Sequence, residues 1–178
     1  LKNGKSALFL VPEIALTSQT VERLKSRFQE KVAILHHRLA PGYRKTLWHK
    51  IQQGLISLVV GPRSALFSPL KNLALIIVDE EHDMAYKQME ESPCYHTRDS
   101  AVMRGKICQA VVILGSATPS FETYYNALNQ KYSLSLLSHR TDQASLPTIH
   151  IVDMKIEHAK SKGYTLFSNL LLDSIKKR

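Results

Sequence analysis

The chain has 178 residues, 44% of them hydrophobic and 22% charged, with a formal net charge of +9, which fits one globular domain with a sizeable core and excludes a disordered chain. No apolar run approaches about 18 residues, which excludes a membrane-spanning helix, and the first five residues do not form a signal peptide. The two cysteines, Cys94 and Cys108, match no metal-ligand spacing, so we expect a reduced cytoplasmic protein.

Short apolar runs alternate with helical patterns along most of the chain. The runs predict buried strands at residues 6–11, 31–35, 58–60, 73–78 and 110–114. The intervening segments predict helices at residues 14–28, 41–53, 97–107 and 119–129. Thr17 and Thr118 are predicted helix caps, and Gly54 is predicted to end the second helix. This alternation predicts an α/β fold with a parallel sheet.

Four aromatic residues of the predicted helices are expected in the core: Trp48, Phe121, Tyr124 and Tyr125. The sequence pattern changes after about residue 138. A polar turn is predicted at residues 141–147 and a short strand at 149–152, followed by an exposed segment at 155–165 and a helix at 166–178. This last part is expected to link the domain to a part of the protein that is not present in this chain.

The fourth apolar run, residues 73–78, stops abruptly in five consecutive polar residues, Asp79, Glu80, Glu81, His82 and Asp83. Ligands of open α/β sheets bind at the carboxyl ends of strands. The run and its acids have the form of a Walker B element, in which Asp79 would hold Mg²⁺ and Glu80 would polarise the water that attacks the γ-phosphate. A solvated acidic turn after a core strand is the alternative.

The positive charge lies in the first part of the chain. Residues 1–78 contain 12 Lys or Arg and 3 Asp or Glu, whereas residues 79–178 contain 12 of each kind. A basic half beside an acidic site suits a polyanion on one surface and a metal–nucleotide on another. A merely basic surface is the alternative.

Gly4, Lys5 and Ser6 have the composition of the end of a phosphate loop. Such a loop needs a strand before it and a helix directly after it, whereas here a strand follows. We therefore interpret Gly4 as the residue before a strand and expect any phosphate loop to lie upstream of residue 1.

Two other strand ends carry hydroxyl or cationic side chains. Ser116 and Thr118 could contact the nucleotide site through their hydroxyl and backbone N–H groups, or they could form a plain capping turn. Arg63 and Ser64 could hold a DNA phosphate, or Arg63 could form a salt bridge. Pro12 and Glu13, taken alone, indicate an ordinary helix entry.

The loop after the acidic run mixes aromatic and basic residues: Tyr86, Lys87, Tyr95, His96 and Arg98. Such a mix suits stacking on unpaired bases with cations on the backbone, and a tucked surface loop is the alternative. A metal site formed by His82 and a second His or Glu is not expected, because no such ligand lies at the helical i, i+4 spacing.

Taken in this order, the motifs resemble the superfamily 2 DNA helicases, and within them the primosomal protein N′ family of bacterial replication-restart helicases. The likeness covers about residues 6–128. It rests on the segments 10–17, 60–67, 78–83, 86–88, 95–96, 98–99 and 115–119.

The resemblance implies a RecA-like lobe with three α/β/α layers and a mostly parallel sheet, in residues 1–140, without its phosphate-loop strand and helix. Residues 141–178 would connect this lobe to a second one outside the chain. ATP sites of the family form between two lobes, so we expect the chain alone to be inactive. We also expect marginal solubility or self-association, because part of its sheet would be uncovered.

The resemblance also implies roles for particular residues. Asp79, Glu80, Glu81 and His82 would be the catalytic motif II, with Asp79 and Glu80 at Mg²⁺. The coupling motif III would comprise Gly115, Ser116, Ala117 and Thr118. The implied DNA-binding residues are Pro12, Glu13, Arg63, Ser64, Tyr86, Lys87, Tyr95, His96 and Arg98. Cys94 stands where the family often has a basic residue, which would weaken a phosphate contact.

The implied function is an ATP-dependent 3′→5′ DNA helicase that restarts stalled replication forks and assembles the primosome in the bacterial cytoplasm, at the nucleoid. Its cofactors would be ATP and Mg²⁺, with Zn²⁺ only in a cysteine-rich region outside this chain. Its partners would be forked and single-stranded DNA, replication-restart proteins, single-stranded DNA-binding protein and the replicative helicase loader. Another superfamily 2 translocase and a non-catalytic nucleic-acid-binding module remain the alternatives.

Overall fold

The structure is a computed structural model that describes residues 4–12, 18–89, 92–138, 148–160 and 165–177. Its contacts divide the chain into two units, Leu1–Leu134 and Ser135–Arg178. Among the described residues, no helix has the length and apolar character needed to cross a membrane.

The first unit is built on a sheet of five parallel strands: β1 (Ser6–Leu10), β2 (Val32–Ile34), β3 (Leu58–Gly61), β4 (Leu73–Val78) and β7 (Val111–Leu114). Their order in the sheet is β2-β3-β1-β4-β7. The predicted α/β class with a parallel sheet is therefore confirmed. Strand β4 occupies the predicted residues, because an unbroken apolar run suits a strand that lies between two others.

Helices and short turns connect these strands. The helices are α1 (Ser18–Phe28), α2 (Pro41–Gln53), α3 (Thr97–Cys108) and α4 (Phe121–Leu128). Short 3₁₀ helices span Gln29–Lys31, Arg63–Phe67 and Met84–Tyr86, and a small antiparallel hairpin joins β5 (Lys87–Gln88) to β6 (Tyr95–His96). Helix α2 ends as predicted at Gly54, whose φ of +84° is a left-handed conformation that glycine adopts readily.

Helices cover both faces of the sheet, because successive strand residues point to opposite sides. On one face, Leu8 and Leu10 of β1 belong to a core cluster with residues of α2 and α3: Leu47, Ile51 and Ala101. On the other face, Ala7 and Val11 belong to a cluster packed against residues of α1: Val21, Leu24 and Phe28. The predicted three layers are thus present, and Trp48 packs against the first cluster as predicted.

Strand β7 lies at the edge of the sheet, and Val111 and Ile113 on it are exposed. The three aromatic residues of α4 are exposed as well: Phe121, Tyr124 and Tyr125. The prediction that these aromatic residues belong to the core is wrong for this chain, because none of the described strands pairs with the outer side of β7.

The second unit contains α5 (Met154–Lys160) and α6 (Asn169–Lys176). A carboxylate oxygen of Glu157 accepts a hydrogen bond of 2.9 Å from the backbone N–H of Asn169 and so joins the two helices. The predicted helix near the end of the chain is confirmed. The predicted strand at 149–152 is wrong, because these residues pair with no described strand, and α5 occupies part of the predicted exposed segment. The predicted turn at 141–147 and the cap Thr17 lie outside the described residues.

Gly61 provides a test of the packing at the end of β3. An ideal Cβ on Gly61 would lie 2.8 Å from the Leu35 carbonyl oxygen and 2.9 Å from the Ala65 Cβ. We predict that Gly61→Ala lowers the free energy of unfolding by about 1–3 kcal/mol, measured by urea denaturation, because the backbone must shift to accommodate the methyl group.

The matched control is Gly42→Ala in α2, where an ideal Cβ has no heavy atom within 4 Å. We expect this change to leave stability unaltered or to raise it by up to about 1 kcal/mol. Equal effects of the two substitutions would contradict the packing described here.

Candidate functional site

The carboxyl ends of four neighbouring strands form one edge of the sheet. Backbone hydrogen bonds extend the strand pairing past the last residues: the N–H of Asp79 donates to Leu10 (2.9 Å), and the N–H of Gly115 donates to Val78 (2.8 Å). Val11 likewise donates to Gly61 at 3.0 Å. The segments predicted to carry function after β1, β3, β4 and β7 therefore lie along the same edge.

The chain turns sharply at Glu80, directly after β4. Glu80 has a φ of +47°, a left-handed conformation that is uncommon for a residue with a side chain and that costs strain energy. Its backbone N–H donates to the Asp79 carboxylate at 3.2 Å. After this turn the Glu80 side chain is half exposed, whereas the next residue, Glu81, is only 1% exposed.

The buried Glu81 carboxylate is held by four hydrogen bonds from two helices. The N–H and hydroxyl of Ser120 donate to it at 2.7 and 3.1 Å, and the hydroxyl of Thr123 donates at 2.9 Å. The guanidinium of Arg98, at the start of α3, completes the set at 3.3 Å. This cluster of Glu81, Arg98, Ser120 and Thr123 is called the buried carboxylate cluster below.

Two opposing effects act on the pKa of Glu81. Burial raises the pKa of its carboxyl group, but the hydrogen bonds from Ser120, Thr123 and Arg98 stabilise the ionised form. The net effect lowers the pKa below its ordinary value of 4.5. Glu81 is therefore a buried anion at neutral pH, and both of its carboxylate oxygens accept hydrogen bonds from the protein itself.

The residues directly after β4, 79–83, are called the acidic segment below. Backbone and side-chain hydrogen bonds join this segment to residues 115–118, which follow β7. The N–H of Glu81 donates to the carbonyl of Gly115 at 3.0 Å. The Nδ1 atom of His82 lies 2.7 Å from the hydroxyl of Ser116, which in turn accepts from the N–H of Thr118 at 3.0 Å. The structure thus brings Gly115, Ser116 and Thr118 to the acidic segment, and Ala117 is exposed beside them.

The start of α4 differs from the prediction. Ser120, not Thr118, is the N-cap, and its hydroxyl accepts from the N–H of Thr123 at 3.3 Å. Both Ser and Thr are favoured caps, so local preference does not distinguish the two positions. The bonds of Ser120 to the Glu81 carboxylate fix the helix start two residues later.

The loop after the acidic segment is attached to it at both ends. Tyr86 is 1% exposed, and its hydroxyl donates to the backbone carbonyl of Asp79 at 2.7 Å. Burial, followed by the negative charges of Asp79 and Asp83, raises the Tyr86 pKa far above its usual value, so the hydroxyl remains a donor. Arg98, which is 7% exposed, attaches the other end of the loop through its ion pair with Glu81.

The remaining loop residues differ in exposure. Lys87 is exposed and Tyr95 is half buried. His96 pairs with Lys87 in the hairpin and is also half buried. Burial and the nearby Arg98 charge lower the His96 pKa, so His96 is neutral at pH 7 and adds no charge for a phosphate. Tyr86 and Arg98 therefore face inwards, whereas Lys87 and Tyr95 reach the surface.

Pro12, Arg63 and Tyr86 line one small cavity of about 130 Å³, together with Val11, Pro62 and Ala85. The Arg63 guanidinium lies 3.5 and 3.4 Å from the carbonyl oxygens of Ala85 and Lys87, so it contacts the base of the loop. Ser64 is exposed next to it. Glu13 lies outside the described residues.

Comparison with known proteins identifies the family. A model of the DEAD/DEAH box helicase family matches residues 1–127. The chain belongs to the DEAD/DEAH box helicase family. The predicted RecA-like class of its lobe is thereby confirmed.

Curated relatives of this helicase chain carry the name replication restart protein PriA. The chain is 54% identical to that of Chlamydia pneumoniae over 178 residues, which are 100% of this chain and 24% of the relative. It is 43% identical to that of Bacillus subtilis over 176 residues, 99% of this chain and 22% of the relative. The chain thus spans about a quarter of the length of these relatives.

Among solved structures, the chain is similar to the C-terminal domain of a Dbp5 variant from S. cerevisiae, solved with a Gle1 variant and IP6. The TM-score is 0.49 at 16% sequence identity, and the match covers 74% of this chain and 71% of the other.

The carboxylates directly after β4 are of a kind that can bind a metal shared with a nucleotide. Within the described ranges, no three His, Cys, Asp or Glu side chains form a group that could hold a metal ion by themselves. Mg²⁺ at nucleotide sites is bound through one or two carboxylates, phosphates and water, and so needs no such group. The carboxylates of Asp79 and Glu80, at the edge of the sheet, are donors of the right kind.

Sequence reasoning did not identify Ser120 and Thr123, which bind Glu81, or Phe67, which packs against Tyr95. The spacing of Ser120 and Thr123 is a capping signal, but nothing in it indicates a buried acid from another strand end. Phe67 lies within a segment that carried the family resemblance, and its exposure is visible only in the fold.

The buried carboxylate cluster gives a pH-dependent prediction. Glu81→Gln should lower the free energy of unfolding at pH 7 by about 1–3 kcal/mol, because it removes a buried anion from its donors. The folded pKa of Glu81 is depressed, so the ionised group stabilises the fold above pH 4.5, and this contribution is lost as the pH falls through the folded pKa. Denaturation at several pH values should therefore show the difference between the wild type and the variant shrinking in acid.

The control is Glu122→Gln. Glu122 lies 3.8 Å from Arg98 but its side chain is 72% exposed, so its loss should change stability little at any pH. A difference between the wild type and Glu81→Gln that stays constant down to the lowest pH would contradict the ionised state of Glu81.

Proposed function

We propose that this chain is part of the first motor lobe of an ATP-dependent 3′→5′ DNA helicase that restarts stalled replication forks and assembles the primosome. The observation that carries the proposal is the attachment of the aromatic and basic loop to the acidic segment through Tyr86 and Arg98. The restart function is supported by the name of the relatives, replication restart protein PriA.

In this proposal, the acidic segment performs ATP hydrolysis. Mg²⁺, when bound with ATP, neutralises phosphate charge and orients the γ-phosphate. Asp79 would bind the ion, and Glu80 would accept a proton from the attacking water. The strained turn at Glu80 supports this role, because backbone strain clusters at functional sites. Glu81 is proposed as a positioning residue that holds this turn, and His82 as a link to the coupling segment through Ser116.

The loop would report bound single-stranded DNA to the hydrolysis site. A strand that contacts Lys87 or Tyr95 moves the hairpin, whose two ends are bonded to the backbone of Asp79 and the carboxylate of Glu81. The two residues that accept these hydrogen bonds, Asp79 and Glu81, are the immediate neighbours of the proposed base, Glu80. Displacement of the loop would therefore alter the position of Glu80 without a direct contact between DNA and ATP.

DNA would lie across the same edge of the sheet, over β1 and β3. Pro12, Glu13, Arg63 and Ser64 are the proposed contacts there, with Lys87 and Tyr95 from the loop. Tyr86, His96 and Arg98 are proposed to act indirectly, by holding the loop, because two of them are buried and the third is neutral.

The complete protein would supply the rest of the motor. A phosphate loop, a second lobe and a zinc-binding cysteine-rich region would lie outside this chain, and the phosphate-loop unit would cover the exposed residues of β7 and α4. Residues 1–140 would form the first lobe and 141–178 the connector, which the division of contacts after Leu134 supports. Forked DNA, replication-restart proteins, single-stranded DNA-binding protein and the helicase loader are the proposed partners, in the bacterial cytoplasm at the nucleoid.

The two alternatives differ from this proposal in distinct ways. Another superfamily 2 translocase would share the hydrolysis site but would not load the replication machinery. A non-catalytic nucleic-acid-binding module would use the basic surface alone and would not need the acidic segment.

Glu80→Gln in the complete protein tests the hydrolysis site. We predict that DNA-stimulated ATP hydrolysis falls by at least about 100-fold, since the general base is lost, while affinity for single-stranded DNA is retained. Phosphate release and fluorescence anisotropy measure the two properties.

Glu122→Gln, a change of the same kind at an exposed site of α4, should leave hydrolysis unchanged. The 178-residue chain alone should show no hydrolysis. Normal hydrolysis by Glu80→Gln would exclude this residue as the base, and hydrolysis by the chain alone would mean that its nucleotide site is complete.

A further inference from the structure

Phe67 is an exposed aromatic residue on a fixed backbone. Its side chain is 56% exposed, at the last position of the 3₁₀ helix Arg63–Phe67. The guanidinium of Arg104, from α3, donates to the carbonyl oxygens on either side of it, those of Leu66 and Ser68. Ser68 is fully buried, and its hydroxyl donates to Ala65 at 2.6 Å. The protein thus holds a large apolar ring in solvent with little freedom of its backbone.

Tyr95 of the hairpin packs against Phe67. The two ring centroids are 5.2 Å apart and the rings are inclined at 79°, an edge-to-face pair. This arrangement orients the two rings and leaves more than half of Phe67 uncovered. It also connects the end of the Arg63–Phe67 segment to the loop that is bonded to the acidic segment.

One cationic side chain, that of Arg63, lies beside this aromatic pair. Arg63 is close enough to Tyr95 for its charge to oppose the rise in the Tyr95 pKa that burial causes. Lys87 is exposed too, but it pairs with His96 and so belongs to the other face of the hairpin. An exposed aromatic ring with an adjacent cation is a combination that binds single-stranded nucleic acid, in which the ring stacks on a base and the cation contacts the backbone.

We propose that Phe67 and Tyr95 form a base-stacking subsite for an unpaired nucleobase of single-stranded DNA. The proposal rests on the proposed function and extends it to the kind of DNA contact, a stacked base in addition to held phosphates. Because Tyr95 belongs to the loop, a base on Phe67 would contact the loop directly. The subsite would also favour single strands, since the bases of a duplex are stacked on one another and inaccessible.

The test compares two probes with the same backbone charge, oligo(dT) and an oligonucleotide of equal length whose central positions are abasic. Phe67→Leu in the complete protein should lower the affinity for oligo(dT) about ten-fold and leave the affinity for the abasic strand unchanged. Phe67→Trp should restore binding of oligo(dT). Its added tryptophan fluorescence should be quenched by oligo(dT) but not by the abasic strand.

Phe167→Leu is the matched control, since Phe167 is 57% exposed and lies in the other unit of the chain. It should change neither affinity. If Phe67→Leu fails to fold, the fluorescence of Phe67→Trp still decides the question.

An unchanged affinity of Phe67→Leu for oligo(dT) would overturn the subsite and leave a protein partner as the occupant of this surface. An equal loss for both probes would also overturn it, since the change would then act on the fold or the phosphates. If the complete protein binds neither probe, the proposed function fails together with the subsite. If binding and DNA-stimulated hydrolysis are normal but indifferent to Phe67, only the subsite fails.

Discussion

Burial of the Glu81 carboxylate is the constraint on which the rest of the site depends. A buried anion is tolerated only when charge and hydrogen bonds compensate for lost water, and Glu81 receives these from Arg98, Ser120 and Thr123. The three donors come from the starts of two helices that are far apart in the sequence. Because none of them can move without exposing the carboxylate or leaving it without a partner, the acidic segment, α3 and α4 are held as one arrangement.

This constraint gives the polar residues directly after β4 different surroundings. Glu81 is buried directly after the left-handed turn at Glu80, whereas the Glu80 side chain stays accessible at the edge of the sheet. His82 continues outwards to Ser116. The buried residue therefore lies between two accessible polar side chains and restricts the backbone positions of both.

Much of the fold follows from the sequence, but the details of the site do not. The run at 73–78 predicts β4 correctly, because six apolar residues between polar ones have few alternatives, and Gly54 predicts the end of α2 for a stereochemical reason. In contrast, five adjacent polar residues give no indication that Glu81 is the buried one, since burial depends on Arg98 and Ser120 from other elements. The strand predicted at 149–152 is wrong for a related reason: extended apolar residues form a strand only where a partner is available.

In the proposed function, the loop connects a DNA-binding surface to a hydrolysis site through its bonds to the acidic segment. Tyr86→Phe tests it most directly, because the change removes only the hydroxyl that donates to the carbonyl of Asp79. In the complete protein, the ratio of ATP hydrolysis rates with and without single-stranded DNA should fall several-fold, while the affinity for single-stranded DNA stays the same. An unchanged ratio, or a loss of DNA affinity that accounts for the fall, would contradict the account.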